Sequence, residues 1–279
     1  MRLSISSIFI CVFLVLWGSL ASAQRAIPDD NLAYPVLITL TNGSTGSGFY
    51  LVTEKAIYLV TAKHVLFDPD TQKLRDTTAE LLSYASDPSD PTRNLASVNL
   101  SVLQSNGNIK THPSEDVAVI KISTMIAGLR NTSSTMPGVT FRTNAKDGLV
   151  TAHLDIVKPF DQVLTGNEVI VYGYPTSIGL QQLPQIDTHR PLLRKGIVAG
   201  TNKEKRSIIL DCPSYFGNSG GPVVEIDRED FRTTHFNIIG VISQYVPFAD
   251  TGRASTFMIL SNSGYSIATP MDFVLDLVK

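Results

Sequence analysis

Short apolar segments separated by turn residues make up most of the chain. The segment at 34–41 ends at Asn42-Gly43, a pair typical of a β-hairpin, and a further strand is predicted at 95–103. The same pattern returns later, for example at 169–173 and 236–242. No long stretch before the C-terminus combines helical periodicity with helix caps. We therefore predict an all-β fold of antiparallel strands.

The composition changes between residues 124 and 150, where loop-forming pairs such as Pro137-Gly138 occur. We interpret this stretch as the crossover between two β-domains, because 279 residues are enough for two hydrophobic cores. The N-terminal domain with its linker is placed at 24–150 and the C-terminal domain at 151–279. Thr269-Pro270 is typical of a helix start, so a short helix is predicted to close the chain.

Residues 1–23 have the pattern of a secretory signal peptide. Arg2 precedes an apolar run at 8–16, and Ala21-Ser22-Ala23 fits a cleavage site. We therefore predict export to the periplasm or the cell exterior. The apolar run is shorter than the roughly 20 residues that span a bilayer, so no stable membrane anchor is expected after cleavage. An uncleaved anchor is the alternative.

Composition and charge give no indication of a nucleic-acid partner, an internal disulfide or a metal site. A formal net charge of −2 gives no reason to expect nucleic acid as a partner. Cys11 leaves with the signal, so Cys212 can form no internal disulfide, and we interpret it as a small buried residue rather than a nucleophile. No histidine pair has helical ligand spacing with a glutamate, so neither a metal nor another cofactor is predicted.

The hexapeptide Gly217–Pro222 combines a possible nucleophile with permissive backbone, because glycines surround Ser219. Glycine allows positive φ and exposes N–H groups, which is how an oxyanion hole is built. A serine needs a base, and the base needs an orienting carboxylate. His64 directly follows an apolar strand, and Asp116 immediately precedes the apolar run at 117–120. These two residues are the candidate partners of Ser219.

Three sequence blocks carry a family resemblance: Thr61–His64, Asp116–Ile120 and Gly217–Pro222. Together they resemble the signature blocks of trypsin-like (chymotrypsin-fold) serine peptidases, and the chain order His, Asp, Ser agrees. The resemblance implies two antiparallel six-stranded β-barrels with the active site in the cleft between them. Gly46–Phe49 and Gly264–Pro270 resemble the HtrA-type branch, and the end of the chain at Lys279 leads us to expect no PDZ domain.

The same resemblance assigns the roles in the site. Ser219 becomes the nucleophile that forms an acyl-enzyme, His64 the general base and then acid, and Asp116 the carboxylate that orients the imidazole. The backbone N–H groups of Gly217 and Ser219 become the oxyanion hole. The predicted function is that of an exported serine endopeptidase acting on polypeptides.

The resemblance also implies which residues determine specificity. Pro213 is placed at the base of the side-chain pocket and Ser214 on its wall, while Ser243, Gln244 and Tyr245 form the strand that binds substrate backbone. No acidic residue lies at the base, which disfavours Arg and Lys because a buried cation would lack a counter-charge. A pocket for small or medium apolar side chains is expected.

Asn218 stands where digestive enzymes of the family carry an aspartate that captures a newly cut N-terminus. Activation by N-terminal insertion is therefore not expected.

Two alternative functions are considered. A peptide-binding or scaffold protein on the same fold, with a closed or inactive site, is the main one. An α/β-hydrolase would need its acid and histidine after the serine, yet only His235 follows Ser219. The four histidines outside the candidate site are interpreted as surface or turn residues: His112, His153, His189 and His235.

Overall fold

The computed structural model describes residues 34–279 except 88–89, 127–132, 144, 147, 177–182, 230–232 and 251–258. The predicted signal peptide lies outside the described residues. Among those that are described, no helix is long and apolar enough to cross a membrane.

The first half of the described chain forms one sheet of ten strands. In chain order these are β1 (Pro35–Leu40), β2 (Thr45–Val52), β3 (Ala56–Thr61), β4 (Thr78–Tyr84), β5 (Arg93–Asn99), β6 (Ile109–Thr111), β7 (Ala118–Met125), β8 (Ser133–Thr135), β9 (Val139–Thr143) and β10 (Ala152–His153). The sheet order is β6-β7-β3-β2-β1-β4-β5-β9, with β8 added to β7 and β10 added to β2. Only the β10–β2 pair among these described strands is parallel.

The second half forms a closed barrel of antiparallel strands in the order β11-β12-β13-β16-β15-β14. The strands are β11 (Glu168–Gly173), β12 (Leu192–Asn202), β13 (Ser207–Asp211), β14 (Pro222–Arg228), β15 (Thr234–Asp250) and β16 (Ile259–Pro270). Three short α-helices accompany the strands in the described residues: α1 (Lys63–Leu66), α2 (Leu100–Ser105) and α3 (Met271–Val278). Two 3₁₀ helices, Leu154–Ile156 and Phe160–Gln162, precede the barrel.

Alternating residues of the first sheet supply two different cores. Leu59 and Ile120 point into the core enclosed by the first sheet, whereas their neighbours Val60 and Val119 belong to a core shared with the barrel and α3. Side chains alternate between the two faces of a strand, so a strand that is buried on both faces reads as a continuous apolar run. The shared core fixes the two halves against each other and thereby positions the cleft between them.

The predicted all-β, chymotrypsin-like class is confirmed. The second half is the expected six-stranded barrel, whereas the first is a curled sheet in which no described hydrogen bonds join the end strands β6 and β9. Helix α2 packs on this sheet, because Leu100 and Leu103 are fully buried in the first core. The domain boundary at 150/151 stays a prediction.

Two sequence predictions are wrong in detail. The strand predicted at 95–103 ends at Asn99, where the chain turns into α2. The Asn99 Oδ1 atom accepts a hydrogen bond of 2.9 Å from the Val102 N–H, and this helix cap overrides the strand propensity of the apolar residues that follow. The C-terminal helix was expected to start at Thr269-Pro270. Helix α3 instead begins at Met271 with Pro270 at the cap position, and Thr269 still belongs to β16.

A buried ion cluster links the barrel to the segment that leads into it. Lys158 Nζ lies 2.6 Å from Glu225 Oε2 and 2.8 Å from Asp227 Oδ2. Glu225 is fully buried and also accepts hydrogen bonds from the Leu164 N–H and the Asn167 amide. Burial by itself would lower the pKa of Lys158, but the two contacting carboxylates outweigh it and raise the pKa. The cation is therefore held in its charged form inside the protein.

We expect Lys158→Met to lower the free energy of unfolding by about 3–5 kcal/mol, because the buried Glu225 carboxylate loses its counter-charge. Urea unfolding at neutral pH measures the loss. The double variant Lys158→Met/Glu225→Gln should recover most of it, and Lys279→Met, at an exposed pair, should change stability by less than about 0.5 kcal/mol. Since the pKa of Lys158 is raised in the folded state, its contribution should persist below about pH 10 and disappear only in alkali. Equal losses in Lys158→Met and Lys279→Met would contradict this account.

Candidate active site

His64 and Asp116 are brought together by the pairing of β3 with β7. Thr61 is opposite Ala118 in that pair, so the residues just after β3 and just before β7 are neighbours. One carboxylate oxygen of Asp116 accepts the His64 backbone N–H at 2.9 Å, and the other lies 2.6 Å from His64 Nδ1. The carboxylate therefore fixes both the backbone and the ring of His64, which sits in α1 rather than at the strand end.

Ser219 lies in the loop before β14 and lines the same cavity as His64. The cavity has a volume of about 550 Å³ and lies between the first sheet and the barrel. Nδ1 of His64 faces Asp116, and Nε2 makes no hydrogen bond with the described residues, nor does Ser219 Oγ. The contact between His64 and Asp116 leaves Nε2 of the imidazole able to take a proton, and the Asp116 carboxylate can stabilise the imidazolium that forms.

The loop that carries Ser219 requires glycine on both sides. Gly217 and Gly220 have φ values of +93° and +88°. A Cβ on Gly217 would lie 2.2 Å from the Tyr174 carbonyl oxygen, and one on Gly220 would lie 2.0 Å from the Ser47 carbonyl oxygen. Neither the backbone conformation nor the space admits a side chain.

Two N–H groups of this loop are left available. The N–H groups of Asn218, Gly220 and Gly221 donate to carbonyl groups of the chain. Those of Gly217 and Ser219 have no hydrogen-bond partner among the described residues. Because both residues line the cavity, their N–H groups are suited to bind a developing oxyanion.

Ser47 in β2 holds the loop in place. Its hydroxyl donates to the Gly217 carbonyl at 2.6 Å and accepts the Tyr174 N–H at 2.9 Å. Its own N–H donates to the Ser219 carbonyl at 2.8 Å. The sequence showed Ser47 only as part of a Gly-Ser-Gly block, and these partners explain why a small hydroxyl residue is needed there.

The predicted substrate-binding residues are brought together with one exception. Ser214, Ser243, Gln244 and Tyr245 all line the cavity, whereas Pro213 is half-buried and does not. The β15–β16 register shifts at Ser243, and such a bulge re-aims the side chains next to it.

Several cavity residues were not predicted from the sequence. Phe216, with 71% of its surface exposed, packs edge-to-face on Tyr245 with ring centroids 5.8 Å apart. On the first-sheet side, Arg75 and the segment 43–45 also line the cavity. These residues lie outside the signature blocks and have no local pattern that marks them.

Cys212 and the histidines other than His64 lie outside the cavity. Cys212 is buried in the barrel core, as the sequence predicted, and burial raises the pKa of its thiol to about 11. None of the histidines other than His64 lines the cavity.

Comparison with known proteins identifies the family. The model of the trypsin-like peptidase domain matches residues 46–230. Among solved structures, the HtrA-type protease AlgW with tripeptide is 19% identical, with 88% of this chain and 58% of that chain covered and a TM-score of 0.46. A serine-to-alanine variant of AlgW with tripeptide is 18% identical, with 89% and 60% covered and the same TM-score of 0.46. The chain thus spans about three-fifths of the length of these structures.

No curated protein sequence matches the chain. The family model alone covers well over half of the chain, and the matched residues include His64, Asp116 and Ser219. The chain belongs to the trypsin-like peptidase domain family.

Proposed function

We propose that the chain is an exported serine endopeptidase that hydrolyses peptide bonds with His64, Asp116 and Ser219. The observation that carries the proposal is the double contact of Asp116 with His64, a histidine that lines the same cavity as Ser219. Membership of the trypsin-like peptidase domain family supports the same reaction. The predicted signal peptide supports delivery to the periplasm or the cell exterior.

The reaction proceeds in two stages. Ser219 Oγ attacks the carbonyl carbon of the scissile bond while its proton passes to His64 Nε2, and the Gly217 and Ser219 N–H groups bind the oxyanion. His64 then gives this proton to the leaving amine, which departs and leaves an acyl group on Ser219. Water attacks the acyl carbon while its proton passes to His64 Nε2; the bond to Ser219 Oγ then breaks as His64 returns this proton to Oγ, and the carboxylic acid product leaves.

The cavity supports a preference for apolar side chains on the acyl side of the scissile bond. No carboxylate belongs to the described residues that line it, so a substrate Arg or Lys would find no counter-charge. Phe216 and Tyr245, whose rings pack edge-to-face, add apolar surface to the lining of the cavity. We therefore propose small or medium apolar residues as the preferred ones.

Digestion of an unfolded protein tests the proposal. The chain without residues 1–23 is incubated with a reduced and alkylated protein, and the new termini are sequenced. We expect internal cuts after small or medium apolar residues. An intact substrate would favour the alternative of a peptide-binding protein with an inactive site, which binding of the same substrate without cleavage would then support.

The oxyanion hole gives a further prediction. We expect Gly217→Ala to lower kcat by about 100- to 1000-fold, because the added Cβ displaces the Gly217 N–H from its position. The matched control is Gly200→Ala, since a Cβ on Gly200 meets nothing within 4 Å. Rates on one peptide substrate, with circular dichroism to verify folding, measure the difference. Similar rates in the two variants would show that Gly217 has no such role.

A further inference from the structure

One arginine lies at the first-sheet end of the cavity. Arg75 shares this end with the segment 43–45, whereas Ser214 and Tyr245 lie at the barrel end, and both His64 and Ser219 line the cavity as well. We propose that Arg75 forms a subsite for a substrate carboxylate on the leaving-group side of the scissile bond. This inference rests on the proposed peptidase function and names the chemistry of its preferred substrates.

The guanidinium of Arg75 is held in place through a single nitrogen. Its Nε donates to the His64 carbonyl at 2.8 Å and also approaches the Phe67 carbonyl at 3.3 Å. The backbone is fixed too, because the Arg75 N–H donates to the Leu66 carbonyl at 2.8 Å. The Nη1 and Nη2 groups make no hydrogen bond with described residues, and the side chain is exposed, so both groups can reach a ligand. A positioned fork of N–H donors is the arrangement that binds a carboxylate in two-point contact.

The positive charge of Arg75 has no ion-pair partner in the described part of the chain. The neighbouring carboxylates accept hydrogen bonds from backbone N–H groups instead. Asp76 accepts the N–H groups of Asn42 and Thr77 at 2.8 and 2.7 Å. One oxygen of Asp68 accepts the Asp70 and Thr71 N–H groups together with the Thr71 hydroxyl. Hydrogen bonds from Thr71 and, to a lesser extent, the Arg75 charge lower the pKa of Asp68, so these two charges interact although they form no ion pair. No carboxylate belongs to the described residues that line the cavity, so the Arg75 guanidinium can meet an anion there.

The role of His64 determines which side of the substrate Arg75 meets. In the proposed reaction His64 protonates the leaving amine, so the leaving group must lie beside the imidazole. Arg75 is bonded to the carbonyl of that same histidine. Ser243 and Tyr245, which in the proposed function bind the acyl side, line the cavity from the barrel. The carboxylate that Arg75 binds therefore belongs to one of the first residues after the scissile bond.

A carboxylate at this place can come from two sources, an Asp or Glu side chain or the free C-terminus of the substrate. Matched peptides separate them. One series carries Glu or Gln at the first, second or third residue after the scissile bond, with an amidated C-terminus. A second series ends at those same positions and carries either a free carboxylate or an amide.

The values of kcat/KM are compared between the two members of each pair for the wild type, Arg75→Gln and Arg75→Glu. We expect the wild type to prefer the carboxylate member by about fivefold at one position. The preference should disappear in Arg75→Gln, with a ratio of about 1, and the amide member should be preferred by Arg75→Glu. Since each ratio uses one enzyme, any general loss through the His64 contact cancels. The series in which the preference occurs identifies the source of the carboxylate.

Arg228→Gln is the matched control, because it removes the same charge from a barrel residue outside the cavity. It should leave the ratio unchanged. Added salt should weaken the wild-type preference, as the Debye length is about 10 Å at 0.1 M and about 3 Å at 1 M. Cleavage without any preference, or a preference that survives in Arg75→Gln, would overturn the subsite while the peptidase function stands. Absence of cleavage of every peptide would instead count against the proposed function, and the subsite would fall with it.

Discussion

Ser219→Ala is expected to lower kcat for peptide hydrolysis by roughly 10⁵- to 10⁶-fold, because no other group can form the acyl-enzyme. The fold should survive the change. The Ser219 hydroxyl makes no hydrogen bond with the described residues, and the loop is held through the Ser219 carbonyl, which accepts the Ser47 N–H. Thermal unfolding should therefore give nearly the same Tm as the wild type. The measurement is kcat on one peptide, after removal of any contaminating peptidase.

The matched control for this variant is Ser101→Ala, which removes an exposed hydroxyl from α2, a helix that does not line the cavity. It should retain the wild-type rate. Residual activity of Ser219→Ala within a factor of ten of the wild type would exclude Ser219 as the nucleophile.

Asp116→Asn is the variant with the next largest effect, an expected loss of about 10⁴-fold in kcat. The amide oxygen can still accept the His64 backbone N–H, as Oδ1 does now at 2.9 Å. The amide nitrogen, however, would then face His64 Nδ1 in place of the present oxygen at 2.6 Å. An N–H donor there favours the tautomer with the proton on Nε2, and that tautomer cannot take the proton of Ser219. The negative charge that stabilises the imidazolium is lost as well.

The effect of Asp116→Asn should appear in kcat, with little change in KM or Tm, because the side chain keeps its size and one of its two contacts. Asp155→Asn, at an exposed aspartate in a short 3₁₀ helix, serves as the control and should be neutral. If both variants lost activity equally, the specific role of the Asp116 carboxylate would be disproved.

The sequence predicted those parts of the site that depend on local patterns. The apolar runs before His64 and after Asp116 became β3 and β7, and their direct pairing explains why the two residues meet. The glycines around Ser219 predicted positive φ, which Gly217 and Gly220 adopt. In each case a few adjacent residues contain the information, either as strand alternation or as a backbone requirement.

The features that were missed depend on contacts between distant residues. The Ser47 hydroxyl binds the Gly217 carbonyl across a sequence separation of 170 residues. Arg75 lines the cavity because its Nε donates a hydrogen bond to the His64 carbonyl, and no local sequence pattern around Arg75 predicts that contact. The first four residues of helix α2 fell within the predicted strand at 95–103 because three of them are apolar, whereas the Asn99 cap decides the conformation. Tertiary and capping interactions of this kind override local propensity.

Labelling with a fluorophosphonate probe tests the central claim most directly, because the probe reacts with a serine only when a base activates it. We expect the protein without residues 1–23 to become labelled, with the probe located by mass spectrometry on the peptide that contains Ser219. Labelling should be lost in Ser219→Ala and strongly reduced in Asp116→Asn. A wild-type protein that remains unlabelled, or a label that persists in Ser219→Ala, would contradict the assignment of Ser219 as the activated nucleophile.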